Sequence, residues 1–343
     1  MTFQPLLELT RGSLVESLHC GAVAVADTSG RLIAWVGDPQ IVAFLRSSAK
    51  PFQALALIES GAAHAFGFTP REIATACASH TGSALHVETV RGMQAKAGLR
   101  EAHLGCGAHP VDDEAMAIRL IRAGAQPTPL YHNCSGKHTG MLAVAQHCGW
   151  PLDNYLDPQH PLQQLILRDF AALCGMEVGA VRLGVDGCSA PNFAVPLANA
   201  ATAFARLADP AGDAHAEALR TIAHAMTTCP EMVQAPGGFD TVLMEIGAGR
   251  FVVKRGAEAY TGLGLAPGAL GAGSPALGVA IKIADGGARA TAPVAVSVLR
   301  QLGALTAEDQ RQLDSAGFAV PQPVQSARGA VVGEARAVFA LER

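Results

Sequence analysis

Apolar residues come in short blocks near both ends of the chain and recur every three or four positions through its middle. Residues 21–26 (G-A-V-A-V-A) and 31–36 (R-L-I-A-W-V) are strand-like runs around Asp27-Thr28-Ser29-Gly30, the pattern of a hairpin. After the G-D-P of residues 37–39 the period lengthens. Phe52, Leu55, Ile58 and Ala62 fall three or four apart, predicting a helix whose first turn carries Ser47 and Lys50, with Pro51 tolerated near its start. Thr69-Pro70-Arg71-Glu72 has the form of a capping box with proline at the first helical position. A helix from there to about Cys77 delivers Ser79 just past its end. Amphipathic stretches at 86–97, 112–123, 137–148, 161–173, 193–207 and 215–228 make the middle helical. Strand patterns return at 181–186, 250–255, 276–284 and 329–341, with a helix at 293–302. The alternating glycines of 262–273 predict a mobile loop, a candidate lid.

Strands at both ends of a helical middle define an α+β class, with an antiparallel sheet uniting the termini and helices packed on it. No linker interrupts residues 1–343, so the expectation is one domain with a helical insertion at about 85–230. Half the residues are hydrophobic and 16% are charged, a globular composition. A net charge of -4 without basic clusters argues against nucleic acid or an anionic membrane as partner, leaving a small molecule. The first residues lack a basic segment followed by an apolar run, and no stretch reaches the roughly 18 apolar residues of a membrane span. The expected location is cytoplasmic, with the eight cysteines reduced.

Three short segments share one chemistry: S-S-A-K at residues 47–50, S-H-T at 79–81 and K-R-G at 254–256. Their order and separations resemble the S-x-x-K, S-x-N and K-x-G trio of serine β-lactamases and penicillin-binding enzymes, which open an amide with an activated serine. Only five residues of the chain are lysine, and two of them fall in this trio. On a helix, Lys50 reaches the hydroxyl of Ser47 from the next turn, and a helix N-terminus stabilises developing negative charge. Ser79 with Lys254 forms a second hydroxyl and amine pair. A lysine base must be uncharged when it acts, and burial beside other lysines such as Lys137 favours that form, so a crowded, partly dry lysine cluster is expected. The bland alternative makes Ser47 a helix cap and both lysines solvated. Ser48 is a rival nucleophile without a lysine three residues on.

A second constellation joins Asn133-Cys134-Ser135-Gly136-Lys137-His138, opening a helix, to Asp186-Gly187-Cys188-Ser189, following a strand. Thiolates, an imidazole and a carboxylate brought together there could hold Zn²⁺, although the C-x-x-C spacing of a structural finger is absent. The remaining cysteines, and His64, His86, His103, His160, His215 and His224, read as core or surface residues. The Gly105 to Pro110 segment, G-C-G-A-H-P, reads as a tight turn without chemistry.

The segments R-S-S-A-K-P-F-Q (46–53), C-A-S-H-T-G (77–82), H-N-C-S-G-K-H-T-G-M-L (132–142), D-G-C-S-A-P (186–191), K-R-G-A-E (254–258) and G-V-A-I-K-I-A-D-G (278–286) resemble the rhizobial-type, class 3 L-asparaginases. That resemblance implies a serine β-lactamase-like fold, hydrolysis of L-asparagine to aspartate and ammonia, and a homodimer. It implies Ser47 with Lys50 and Ser79 with Lys254 as catalytic tandems, Cys134, Lys137 and Cys188 as zinc ligands, and Arg46, His138 and Asp186 as pocket residues. Where some relatives carry a third cysteine this chain has Asp240, a harder ligand than a thiolate and a candidate substrate contact. Thr81 stands where asparagine is common. The expected reaction is asparagine amidohydrolysis through an acyl ester on Ser47 or Ser79. Two alternatives stay open: a related hydrolase of glutamine or of a D-amino-acid peptide, and a non-catalytic metal or amino-acid sensor.

Overall fold

The computed structural model describes residues 3–343; the first two residues of the N-terminal stretch lie outside it. The chain runs through β1 (Gln4–Arg11), β2 (Leu14–Asp27), β3 (Leu32–Val36) and β4 (Val42–Phe44), then through α1 (Lys50–Gln53), α2 (Leu55–Glu59), α3 (Ala62–Ala65) and α4 (Pro70–Ala76). Next come α5 (Ala84–Lys96), α6 (Glu114–Arg122), α7 (Ser135–Cys148), α8 (Pro161–Leu173), β5 (Arg182–Val185), β6 (Pro191–Pro196), α9 (Leu197–Ala208) and α10 (Ala216–Thr228). The last part holds α11 (Pro230–Val233), α12 (Phe239–Gly247), β7 (Phe251–Gly256), β8 (Tyr260–Leu265), β9 (Leu277–Ile283), α13 (Thr291–Leu302), α14 (Ala307–Ser315), β10 (Gln322–Gln325) and β11 (Val331–Ala337). The α+β class is as the pattern predicts. No helix among the described residues is long and apolar enough to cross a membrane.

These elements divide into two compact units. One comprises residues up to Ser48, Ala194–Ala211 and Val242–Arg343; the other comprises Ala49–Phe193 and Gly212–Thr241.

The first unit is built on an antiparallel sheet in the order β10-β11-β1-β2-β9-β8-β7, with β3 also paired to β2. N-terminal and C-terminal strands meet in it, as Leu7 opposite Ala337 and Val23 opposite Ile281 show. Ala22 to Ala26 and every residue of β8 are buried. Successive strand residues face opposite sides, so an unbroken buried run means both faces are covered. Helices α9 and α13 supply that cover.

One expectation fails here. The first residues of the glycine-rich 262–273 segment are no lid but part of β8, paired on both sides, with Gly262 opposite Lys254 on β7 and Ala280 on β9. A Cβ on Gly262 would lie 1.9 Å from the Phe204 ring of α9. The glycine is there to admit an aromatic ring, which in sequence looks the same as a glycine that serves flexibility. Residues 193–196 are likewise strand before the helix begins, because Pro196 is the N-cap of α9.

The second unit is helical. Thr69 and Glu72 form the predicted capping box of α4, with the Thr69 amide donating to Glu72 Oε2 at 2.7 Å. The helix expected from Ser47 is instead a 3₁₀ turn, Arg46–Ala49, followed by the short α1 and α2. At its centre α7 is buried from Ser135 through Ala145. A Cβ on Gly136 would lie 2.3 Å from the Thr75 carbonyl, so α4 and α7 touch backbone to backbone. That contact sets Ser79, after α4, near Cys134 to His138 at the start of α7.

Candidate active site

In the helical unit, Lys50 is 1% exposed and its Nζ donates to Ser79 Oγ at 3.0 Å and to the Ala78 carbonyl. The backbone holds the serine in place: Ser79 N–H donates to Val233 O at 2.9 Å, and His80 N–H to Asn133 O at 3.2 Å. Beyond it, the Thr81 hydroxyl is buried without a hydrogen-bond partner among the described residues.

In the sheet unit, Ser47 is half-buried and follows Arg46, whose φ of 53° is unusual for a residue with a side chain. Ser48 is fully buried, and its hydroxyl donates to the Lys254 carbonyl at 2.6 Å. Lys254 is 1% exposed, with Nζ donating to the Arg255 carbonyl at 2.8 Å. The rival serine is therefore committed to the end of β7, which leaves Ser47 as the more accessible hydroxyl of the pair. Arg46 lines a shallow cavity with Phe44, Glu258 and Lys282.

The second constellation also assembles. Cys134, Lys137, His138 and Cys188 are all buried, the last on the turn in which Ser189 N–H donates to Asp186 O at 2.9 Å. Lys137 Nζ is 3.0 Å from Cys188 Sγ. A hydrogen bond from Cys188, with the Lys50 and Lys137 charges nearby, pulls the Cys134 thiol well below its ordinary pKa in spite of burial. Burial alone would lower Lys137, but the two sulfurs outweigh it and hold the amine in its charged form. His138 is pushed down to about 4 by burial and then by Lys137. Its Nδ1 is 2.6 Å from the Tyr155 hydroxyl, while Nε2 has no hydrogen-bond partner among the described residues. Asp186 Oδ1 accepts from Gly187 N–H at 2.8 Å, and buried Asp240 donates its amide to Gln234 Oε1 at 3.0 Å.

Residues 7–337 match the L-asparaginase II family. The chain belongs to that family. Among solved structures it is similar to Mglu in its native form in the presence of 4.3 M NaCl, at 16% identity over 82% of this chain and 60% of that one, with a TM-score of 0.39. It is also similar to a probable glutaminase from Bacillus subtilis complexed with 6-diazo-5-oxo-L-norleucine, at 12% identity over 83% and 84% of the two chains, TM-score 0.41. The chain spans three fifths of the length of Mglu in the first of these. No curated protein matches it.

For this chain, a soft divalent ion such as zinc suits the two buried sulfurs, one of them already biased toward thiolate, while the Lys137 amine, 3.0 Å from the other sulfur, must give up its proton before it can ligate. Sequence reading missed two members of the neighbourhood. Tyr155 bridges His138 and the Gly105 amide, accepting from the latter at 2.8 Å. Cys106 is pushed up to about 12 by burial and by the Cys134 and Cys188 sulfurs. Both arrive from loops, and nothing in the spacing of Gly105, Cys106 or Tyr155 marks them. His80 and Ser135, joined at 2.9 Å, complete the wall behind Ser79.

Proposed function

We propose that the protein hydrolyses the side-chain amide of L-asparagine to aspartate and ammonia through an ester on a serine. Family membership supports the substrate class. The observation that carries the chemistry is the buried Lys50 amine at 3.0 Å from Ser79 Oγ. An ammonium held there donates, and the same nitrogen, once uncharged, accepts.

Ser47, one turn before Lys50, attacks the amide carbon and gives its proton to the uncharged Lys50 amine. The tetrahedral intermediate collapses as a proton passes to the amide nitrogen, with Ser79 as the hydroxyl relay, and ammonia leaves. Water then attacks the ester, losing its proton to Lys50, which passes it to the departing Ser47 oxygen as aspartate is released and the free amine is restored. Lys254 adds positive charge that favours the oxyanion over the neutral amide. Arg46 answers the α-carboxylate, and Asp186 and Asp240 answer the α-ammonium group. His138, neutral at physiological pH, is a hydrogen-bonding group of the pocket.

Zinc, when bound by Cys134, Lys137 and Cys188, would supply Lewis-acid polarisation or a rigid anchor for the pocket wall. The working form is a homodimer, which light scattering on the purified protein checks.

The test is ammonia release from asparagine, glutamine and a D-amino-acid amide, with mass spectrometry of enzyme quenched during turnover. Asparagine as best substrate and a 47-bearing peptide heavier by one aspartyl group are expected. Faster release from glutamine overturns the substrate, and the added mass on the 79-bearing peptide reverses the roles of the two serines. Asparagine that raises the melting temperature without ammonia release makes the protein a sensor.

A further inference from the structure

Three helices of the helical unit bring a second set of ligand-bearing side chains together, apart from the serines and thiols. Glu59 ends α2, Asp169 lies on α8, and His215 is the N-cap of α10, and both α8 and α10 pack against α2. One ligand atom from each lies within 4.8 Å of the other two. His215 Nδ1 and Glu59 Oε1 are 2.5 Å apart.

Asp169 is the telling member. It is 1% exposed, and its Oδ1 accepts from Arg168 at 3.0 Å. Its Oδ2 is buried without a hydrogen-bond partner among the described residues. A buried carboxylate oxygen left unpaired is costly to keep, so such oxygens accept a donor, a water or a cation. Two carboxylates and an imidazole nitrogen thus meet at the cluster, with a single guanidinium paired to the Oδ1 of Asp169. The Arg168 side chain is 65% exposed and pairs with Oδ1 alone, at 2.9 Å, so Oδ2 keeps its lone pairs for another partner.

The geometry points to a divalent-cation site formed by Glu59, Asp169 and His215, independent of the thiol cluster and of the reading of the serines. Three protein ligands with one nitrogen suit a borderline ion such as Zn²⁺, with water filling the open position. All-oxygen preferences make Ca²⁺ and Mg²⁺ poorer occupants. Ligation through His215 Nδ1 requires that nitrogen to carry no proton, so a bound ion would replace its contact with Glu59 Oε1. The ion would tie α2 to α8 and α10.

The experiment is Zn²⁺ equilibrium dialysis and Co²⁺ absorption on metal-stripped full-length protein, wild type against His215→Ala and Glu59→Gln. Thiolate-bound Co²⁺ gives an intense sulfur charge-transfer band, whereas oxygen and nitrogen ligation gives only weak d–d bands. Wild type is expected to bind one equivalent more than His215→Ala, whose sulfur band is unchanged. Glu59→Gln weakens that equivalent tenfold or more, the scale seen even for groups outside the ligand shell. Equal stoichiometry and affinity in wild type and His215→Ala overturn the site, as does a wild type whose Zn²⁺ is displaced completely by equimolar Ca²⁺. If the thiol cluster binds nothing, wild type still holds one equivalent and His215→Ala none, so failure of one site is distinguishable from failure of the other.

Discussion

Lys50 Nζ and Ser79 Oγ lie 3.0 Å apart although they are 29 positions apart in sequence, and Lys50 itself is 1% exposed. Lys50→Met keeps the volume and removes the base. Turnover of asparagine is expected to fall roughly 10²–10⁴-fold, with the near-UV circular dichroism of the wild type retained. Full kcat in this variant ends the role of Lys50.

Neighbouring serines should separate cleanly. Ser48 donates to the Lys254 carbonyl and is fully buried, so Ser48→Ala loses a structural hydrogen bond worth about 1 kcal/mol while kcat stays within a few-fold of wild type. Ser47→Ala should do the opposite, leaving urea stability nearly unchanged and abolishing acylation. A stable, inactive Ser48→Ala would reverse the two assignments.

Gly136 sets how closely α4 approaches α7. A methyl group there meets the Thr75 carbonyl at 2.3 Å, so Gly136→Ala should cost about 1–3 kcal/mol by overpacking. Differential scanning calorimetry should record a melting temperature lower by several degrees. Gly140→Ala, whose Cβ would meet Ala76 at 3.2 Å, should be milder.

His80 and His86 stack at 5.0 Å between ring centroids, and burial lowers both below the ordinary histidine pKa. Further lowering comes from His86, Lys50 and His132 on His80, and from Arg71 on His86, where Glu231 and Asp113 oppose it. The unfolded chain protonates these rings near pH 6.5 while the folded one does not. Below that pH the unfolded state therefore binds more protons, and stability falls as the solution is acidified. Above about pH 7.5 the two rings contribute no slope. Urea unfolding across pH 5–8 checks this, and His80→Gln or His86→Gln should flatten the acid side of the curve. An unchanged slope in both variants contradicts the assignment.

Local chemistry was legible wherever one segment decides the outcome. The Thr69 and Glu72 capping box places its own helix start, Pro161 opens α8 at the expected residue, and Asp27 to Gly30 make the turn between β2 and β3. The serine and lysine segments and the cysteine turn could be picked out because each packs its reactive groups into three or four residues. What two distant segments decide together was not legible. Gly262 reads as a loop until Phe204 is found against it, and β1 and β8 have no pattern that distinguishes them from their surroundings.

The sequence by itself determined most of the helices, the class of the fold and the identity of the candidate nucleophiles and thiols, because period, caps and residue chemistry are local properties. Only the tertiary structure decided that Lys50 hydrogen-bonds Ser79, that Ser48 belongs to Lys254, that Tyr155 stands on His138, and that Glu59, Asp169 and His215 meet. Each of these partnerships joins residues from separate elements, and packing chooses such neighbours by shape and burial, which leave no periodic trace along the chain.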